Sequence, residues 1–133
     1  MKDLIWDNSL SVQIDEIDDD HRKLVDLFNR LNHSVADADS IDYINAVLEE
    51  LISCTVWHFR HEERLMIKHN YAGYIEHRDE HQDLIDSAVA LQQKCIEEGR
   101  LISAEEIELL ERWLTGHILG IDMDLGIFLA EVM

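Results

Sequence analysis

Through four long stretches of the chain, apolar residues recur at every third or fourth position, the spacing that lines one face of an α-helix. None of these stretches alternates apolar and polar residues at a period of two, so no sheet is expected. The first helix is expected to start near Asp18, where Asp18-Asp19-Asp20 offers a cap and first-turn negative charge; its inward stripe is His21, Leu24, Val25, Phe28 and Leu31. Ser40 is the expected cap of the second helix, which runs to about Lys68 with Val47, Leu48, Leu51, Cys54, His58, Glu62 and Leu65 inward. The third begins around Gly73 or Tyr74, carries His77, His81, Leu84, Ala88, Leu91 and Cys95, and ends at Gly99, a residue suited to the left-handed position after a helix. Ser103-Ala104-Glu105-Glu106 is a capping box that opens the fourth. That helix presents Ile107, Leu110, Trp113, Leu114, His117, Ile118 and Ile121, and continues or restarts through Phe128.

Residues 1–17 read as an arm with Leu4, Ile5, Trp6, Leu10, Val12 and Ile14 but no helical period, and residues 18–133 as the helical body. Amphipathic helices of about 27–40 Å joined by short loops predict an all-α fold, an up-down-up-down antiparallel four-helix bundle. The 133 residues are expected to form one domain, large enough to bury a core without disulfide or metal staples.

Composition adds one strong deviation. The formal net charge is −18, which argues against nucleic acid and anionic membrane surfaces, since both attract basic patches. No stretch is read as long enough to span a membrane, and the opening Met-Lys-Asp-Leu-Ile-Trp has no signal-peptide apolar core, so a cytoplasmic location is expected. Cys54 and Cys95 lack CxxC spacing and read as small core hydrophobes.

Five histidines and two carboxylates then stand out: His21, His58-x-x-x-Glu62, His77-x-x-x-His81 and His117-x-x-x-x-Asp122. The i,i+4 pairs project from one helix face. A lone histidine on an apolar face is most often a hydrogen-bonded core residue. Seven inward polar groups are different, because each left unpaired costs on the order of 1–3 kcal/mol. Imidazole and carboxylate together suit iron or zinc, and seven ligands exceed one tetrahedral site but fit two metals sharing bridges. Depth agrees as well. His21 is early in the first helix, His58 and Glu62 late in the second, His77 and His81 early in the third, and His117 late in the fourth, so an antiparallel bundle gathers them at one end. His117 and Asp122 are about 140° apart on an ideal helix, so either Asp122 reaches across a wide site or Gly116 and Gly120 permit a π-like turn; the reach is the expected solution.

In this order the residues resemble the hemerythrin family, and its single-domain bacterial members in particular. The resemblance includes the Trp6 arm, the entry Ile14-Asp15-x-Ile17-Asp18-x-x-His21 and the segment Trp113-Leu114-x-x-His117-Ile118. It implies a non-haem di-iron centre, bridged by oxo or hydroxo, that binds dioxygen reversibly for storage, delivery or scavenging. It also implies His77, His81 and His117 on one iron, His21 and His58 on the other, and Glu62 and Asp122 as bridges. Leu24, Phe59, Trp113, Leu114, Ile118 and Ile121 would line an apolar dioxygen pocket, although any bundle would also bury them as core. His33 and His61 are expected to be solvated, and His69 to sit at a helix end.

Other functions carry the same pattern. A module sensing dioxygen or redox state would need a protein partner, which the sequence leaves unknown. A di-iron oxidase or peroxidase is disfavoured, because oxygen-activating bundles use Glu-x-x-His pairs and more carboxylates. The expectation is therefore a binding protein and not an enzyme.

Overall fold

The computed structural model describes residues 3–133; Met1 and Lys2 of the expected arm lie outside the described residues. Four helical rods form an up-down-up-down bundle, and no strand occurs among the described residues. The helices are α1 (Asp15–Ala36), α2 (Ile41–Lys68), α3 (Tyr74–Glu97) and α4 (Ala104–His117); a π-turn at Ile118–Asp122 leads on into α5 (Met123–Val132). The local signals act as expected in three places. Ser40 accepts from the Tyr43 amide, Ser103 and Glu106 complete their capping box, and Gly99 takes φ +62° beyond α3.

Two boundaries differ from expectation. Helix α1 begins at Asp15, capped by Ile14 without a side-chain bond. Asp18 is no cap; it is buried and accepts from Ser11 Oγ (2.6 Å) and the Val12 amide (2.9 Å), so its carboxylate pins the arm instead. The fourth rod runs continuously from Ala104 to Val132, 29 residues with a mean hydropathy of 1.2 in its most apolar window, long and apolar enough to cross a membrane by length and composition. This differs from the expectation that no stretch is long enough to span a membrane. The rod's inner face buries Ile107, Leu110, His117, Ile118, Asp122, Leu125 and Leu129, which makes it one wall of the bundle.

The core is divided. Leu24, Phe28, Leu31, Ile44, Leu48, Leu51, Ile107 and Leu110 belong to one apolar cluster, where the end of α1 meets the start of α2. Leu10, Val12, Ile14, Ile17, Met66, Ile118, Leu125 and Leu129 form a second, so the arm is part of the core. Gly126 is required there, because a Cβ would stand 2.3 Å from the Val12 carbonyl oxygen. Along α1 and α2 the polar candidates fall between these clusters, as His117 does on the fourth rod, while Asp122 lies within the second.

Candidate metal centre

All seven sequence-identified residues are brought together, each with no more than 4% of its surface exposed. They divide into two groups whose ligand-type atoms lie within 4.8 Å of one another: Glu62, His77, His81, His117 and Asp122 in one, His21, His58, Glu62 and Asp122 in the other. The two carboxylates belong to both, and their oxygens are divided between them. Glu62 Oε1 lies 2.9 Å from His81 Nε2 and 3.2 Å from His77 Nε2, while Glu62 Oε2 lies 2.8 Å from His58 Nε2 and 3.4 Å from His21 Nε2. Asp122 Oδ1 lies 2.9 Å from His117 Nε2 and 3.0 Å from His77 Nε2, and Asp122 Oδ2 lies 3.0 Å from His21 Nε2. Every imidazole presents Nε2.

The π-turn delivers Asp122, which corrects the expectation of a wide reach. One extra residue in the turn gives i+5 the face that i+4 holds in an α-helix, so Asp122 and not Ile121 stands beside His117. The same shift explains why Ile121 does not line the cavity described below.

Several atoms in this cluster are buried without a hydrogen bond: His21 Nε2, His58 Nε2, Glu62 Oε2 and both oxygens of Asp122. They face one another at short range but off hydrogen-bond directions, and such orphaned polar atoms are costly in a packed interior. Five imidazole nitrogens and four carboxylate oxygens converging on two points fit a pair of cations, which would satisfy all of them. Without cations, protons take that place. Burial disfavours the charged form of His58, but the adjacent Glu62 charge and the hydrogen bond that Nδ1 donates to Asp20 overcome it and push the ring up to about 10. Burial is likewise outweighed at His77, whose Nε2 lies against the Asp122 and Glu62 carboxylates, and the ring is pushed up to about 9. Burial alone would raise Glu62, yet the His58 charge and the close ring nitrogens of His117, His21 and His58 hold it well below the usual carboxylate range.

In three of the five rings the nitrogen facing away is held by a carboxylate that the sequence pattern did not single out, while His21 Nδ1 and His77 Nδ1 have no hydrogen-bond partner. His58 Nδ1 lies 2.9 Å from Asp20 Oδ2, His81 Nδ1 2.9 Å from Glu63 Oε2, and His117 Nδ1 3.1 Å from Glu80 Oε1. Such partners fix which nitrogen carries the proton and aim the other inward. Asp20, Glu63 and Glu80 each adjoin a candidate ligand in sequence, but with 29 acidic residues in the chain that adjacency carries little information. His61 was expected to be solvated and is not. It is only partly exposed and its Nδ1 lies 2.5 Å from Asp20 Oδ2. His33 is exposed and pairs with Asp3 at 2.7 Å, while His69 caps the end of α2, as its position suggested. Cys54 packs against the first apolar cluster and burial pushes its thiol up, which fits a core role.

A cavity of about 60 Å³ borders the cluster. Leu24, Phe59, Trp113, Leu114 and Ile118 are among its lining residues, with His21, His58 and His117 where it meets the polar layer. Its volume exceeds the roughly 10–15 Å³ needed by one water-sized occupant. The Phe59 ring stacks on His81 with centroids 3.9 Å apart.

Comparison with known proteins agrees with this arrangement. The family model of the hemerythrin HHE cation binding domain matches residues 12–126. The chain is 33% identical over 119 residues to a bacteriohemerythrin of Stenotrophomonas maltophilia, covering 90% of this chain and 76% of that one. It is 30% identical over 118 residues to a hemerythrin-like protein of Naegleria gruberi and to a myohemerythrin of Riftia pachyptila, each time covering 89% of this chain and 87% of the relative. A crystal structure of wild-type hemerythrin superposes with a TM-score of 0.85 at 28% identity, over 92% of this chain and 95% of that chain.

Proposed function

The chain belongs to the hemerythrin family, and from that premise we propose that it binds dioxygen reversibly at a di-iron centre, for storage, delivery or scavenging. His77, His81 and His117 would hold one iron and His21 and His58 the other, with Glu62, Asp122 and an oxo or hydroxo group as bridges. The chemistry such a pair supplies is reversible two-electron transfer to dioxygen.

The observation that carries the reading is an asymmetry. One group has three imidazoles and the other two, while both share the same two carboxylates. The group short of a ligand has a place for an exogenous molecule, and the cavity reaches both of its histidines, His21 and His58, but only His117 of the other group's three.

The chain's own residues do the rest. Glu62 and Asp122 are fully buried and give one oxygen to each group, so they hold the two halves at a fixed separation. Asp20 keeps a proton on His58 Nδ1 and leaves Nε2 free to ligate. Leu24, Phe59, Trp113, Leu114 and Ile118 keep water from the exogenous position, where bulk solvent would favour loss of charged reduced oxygen species. The donor set also favours binding over oxygen activation, because five imidazoles and only two carboxylates meet here.

Elemental analysis and visible spectra of anaerobically reduced protein, before and after air, test the proposal. Two irons per chain and an absorption band that appears in air and fades on degassing are expected. His81→Ala should lose at least one iron. Oxidation that degassing does not reverse would refute reversible binding, and zinc or no metal would refute the centre.

A further inference from the structure

We propose that His61 is a positioning residue for the His21/His58 half of the centre: it holds the Asp20 carboxylate in the place from which Asp20 orients the His58 ring. The inference rests on the two-metal reading above.

A single oxygen, Asp20 Oδ2, receives two ring nitrogens, His58 Nδ1 at 2.9 Å and His61 Nδ1 at 2.5 Å. The two histidines are three residues apart on α2, on neighbouring positions of one face, and Asp20 approaches from α1 with only 5% of its surface exposed. A carboxylate oxygen can only accept, so both rings carry their hydrogen on Nδ1. For His58 this leaves Nε2, 2.8 Å from Glu62 Oε2, as the nitrogen that would ligate once a cation replaces its proton. A carboxylate held by one ring alone could swing about its own side-chain torsions and take His58 with it. Held by two donors on that one oxygen, it is fixed in a single orientation.

His61 is itself restrained. Its Nε2 lies 3.6 Å from Glu16 Oε2, and its ring packs 5.8 Å from the Trp57 ring. The neighbouring residue repeats the device for the other half of the centre. Arg60 donates to both oxygens of Glu63, at 2.9 and 3.2 Å, and Glu63 accepts from His81 Nδ1. Arg60 and His61 thus each tether a carboxylate that aims a ligand ring. Removing a direct carboxylate partner of a ligand histidine costs about 10–100-fold in metal affinity. His61 acts one bond further out, so a smaller loss at one half only is the signature to seek.

The test is titration of the metal-free chain with Co²⁺ alone, in competition with a fluorescent chelator that resolves two equivalents. His61→Ala should weaken one equivalent by about 3- to 10-fold, below the range for a direct partner, and leave the other within about twofold. His61→Asn, whose amide nitrogen stands where the ring Nδ1 stood, should restore the affinity. A lower melting temperature with both affinities unchanged would overturn the proposal, since His61 would then be structural only. So would a third Co²⁺ equivalent in the unaltered chain that His61→Ala abolishes, because Asp20, His58 and His61 would then be a cation site in their own right. A chain that takes up fewer than two equivalents refutes the two-metal reading itself, and the role of His61 falls with it.

Discussion

Deleting Leu119 removes one residue from the π-turn and leaves His117 and Asp122 four apart. On an α-helix their angular separation then falls from about 140° to about 40°, so Asp122 keeps its place without the wide turn. Leu119 is 48% exposed. Its loss costs about half of a full leucine burial, on the order of 1 kcal/mol. At ~2.1 cal/mol/K per residue the unfolding entropy of this chain is ~0.28 kcal/mol/K, which makes that loss ~4 °C in Tm. Deleting Leu109, which is 39% exposed and lies inside α4, is the matched control. It turns the start of α4 by about 100° and slides it by about 1.5 Å. Ile107, now buried, would leave the core at a cost of about 1.5–3 kcal/mol, and the displaced Ser103 cap adds about 1 kcal/mol. That sum is roughly 9–14 °C. Melting followed by circular dichroism, with metal content per chain, reads both variants. The Leu119 deletion should keep two metals and melt within about 4 °C of the parent. If it lost a metal equivalent, the extra residue would not be what places Asp122, and the account of the π-turn would be wrong.

The metal-free chain should be most stable between about pH 4.5 and 6.5. His58 and His77 hold their protons up to about 10 and 9 against 6.5 for an ordinary imidazole, so their contribution is complete below 6.5 and disappears as the pH climbs through those values. Glu62 and Asp122 are held below their ordinary 4.5 and 3.8, so their contribution is complete above that range and is lost on acidification. Thermal melts in chelator across this range would show a plateau and an alkaline decline; a Tm unchanged from pH 6 to 10 would contradict the assignment. Gly126→Ala should lower Tm by about 4–11 °C, from about 1–3 kcal/mol of overpacking against the Val12 carbonyl. Gly120→Ala meets nothing within 4 Å and should not lower it. Equal melting of the two variants would mean that the arm is not seated on α5.

The four helices, the end signals at Ser40, Gly99 and Ser103–Glu106, and the seven polar residues were legible because each rests on local chemistry or on a face-sharing spacing. Ser40, Gly99 and the Ser103–Glu106 box each act within one turn, and the two i,i+4 pairs need only a regular helix. What escaped was set by partners distant in sequence. Asp18 looks like a cap beside Asp19 and Asp20, but its carboxylate is taken by the Val12 amide. Leu10, Val12 and Ile14 alternate with polar residues and are all buried, a strand-like pattern in an arm that forms no sheet. The π-turn was visible only as a mismatch between a five-residue spacing and a four-residue face. His61 looked like one more surface histidine because nothing nearby in sequence announces Asp20 as its acceptor.

Sharing of Glu62 and Asp122 between both groups has a consequence for the order in which the molecule is made. Neither group is complete until Asp122, the last of the seven to be synthesised, has emerged and joined α2, and one group also needs His21, the first. A nascent chain therefore has no finished half-site with which to capture a cation early.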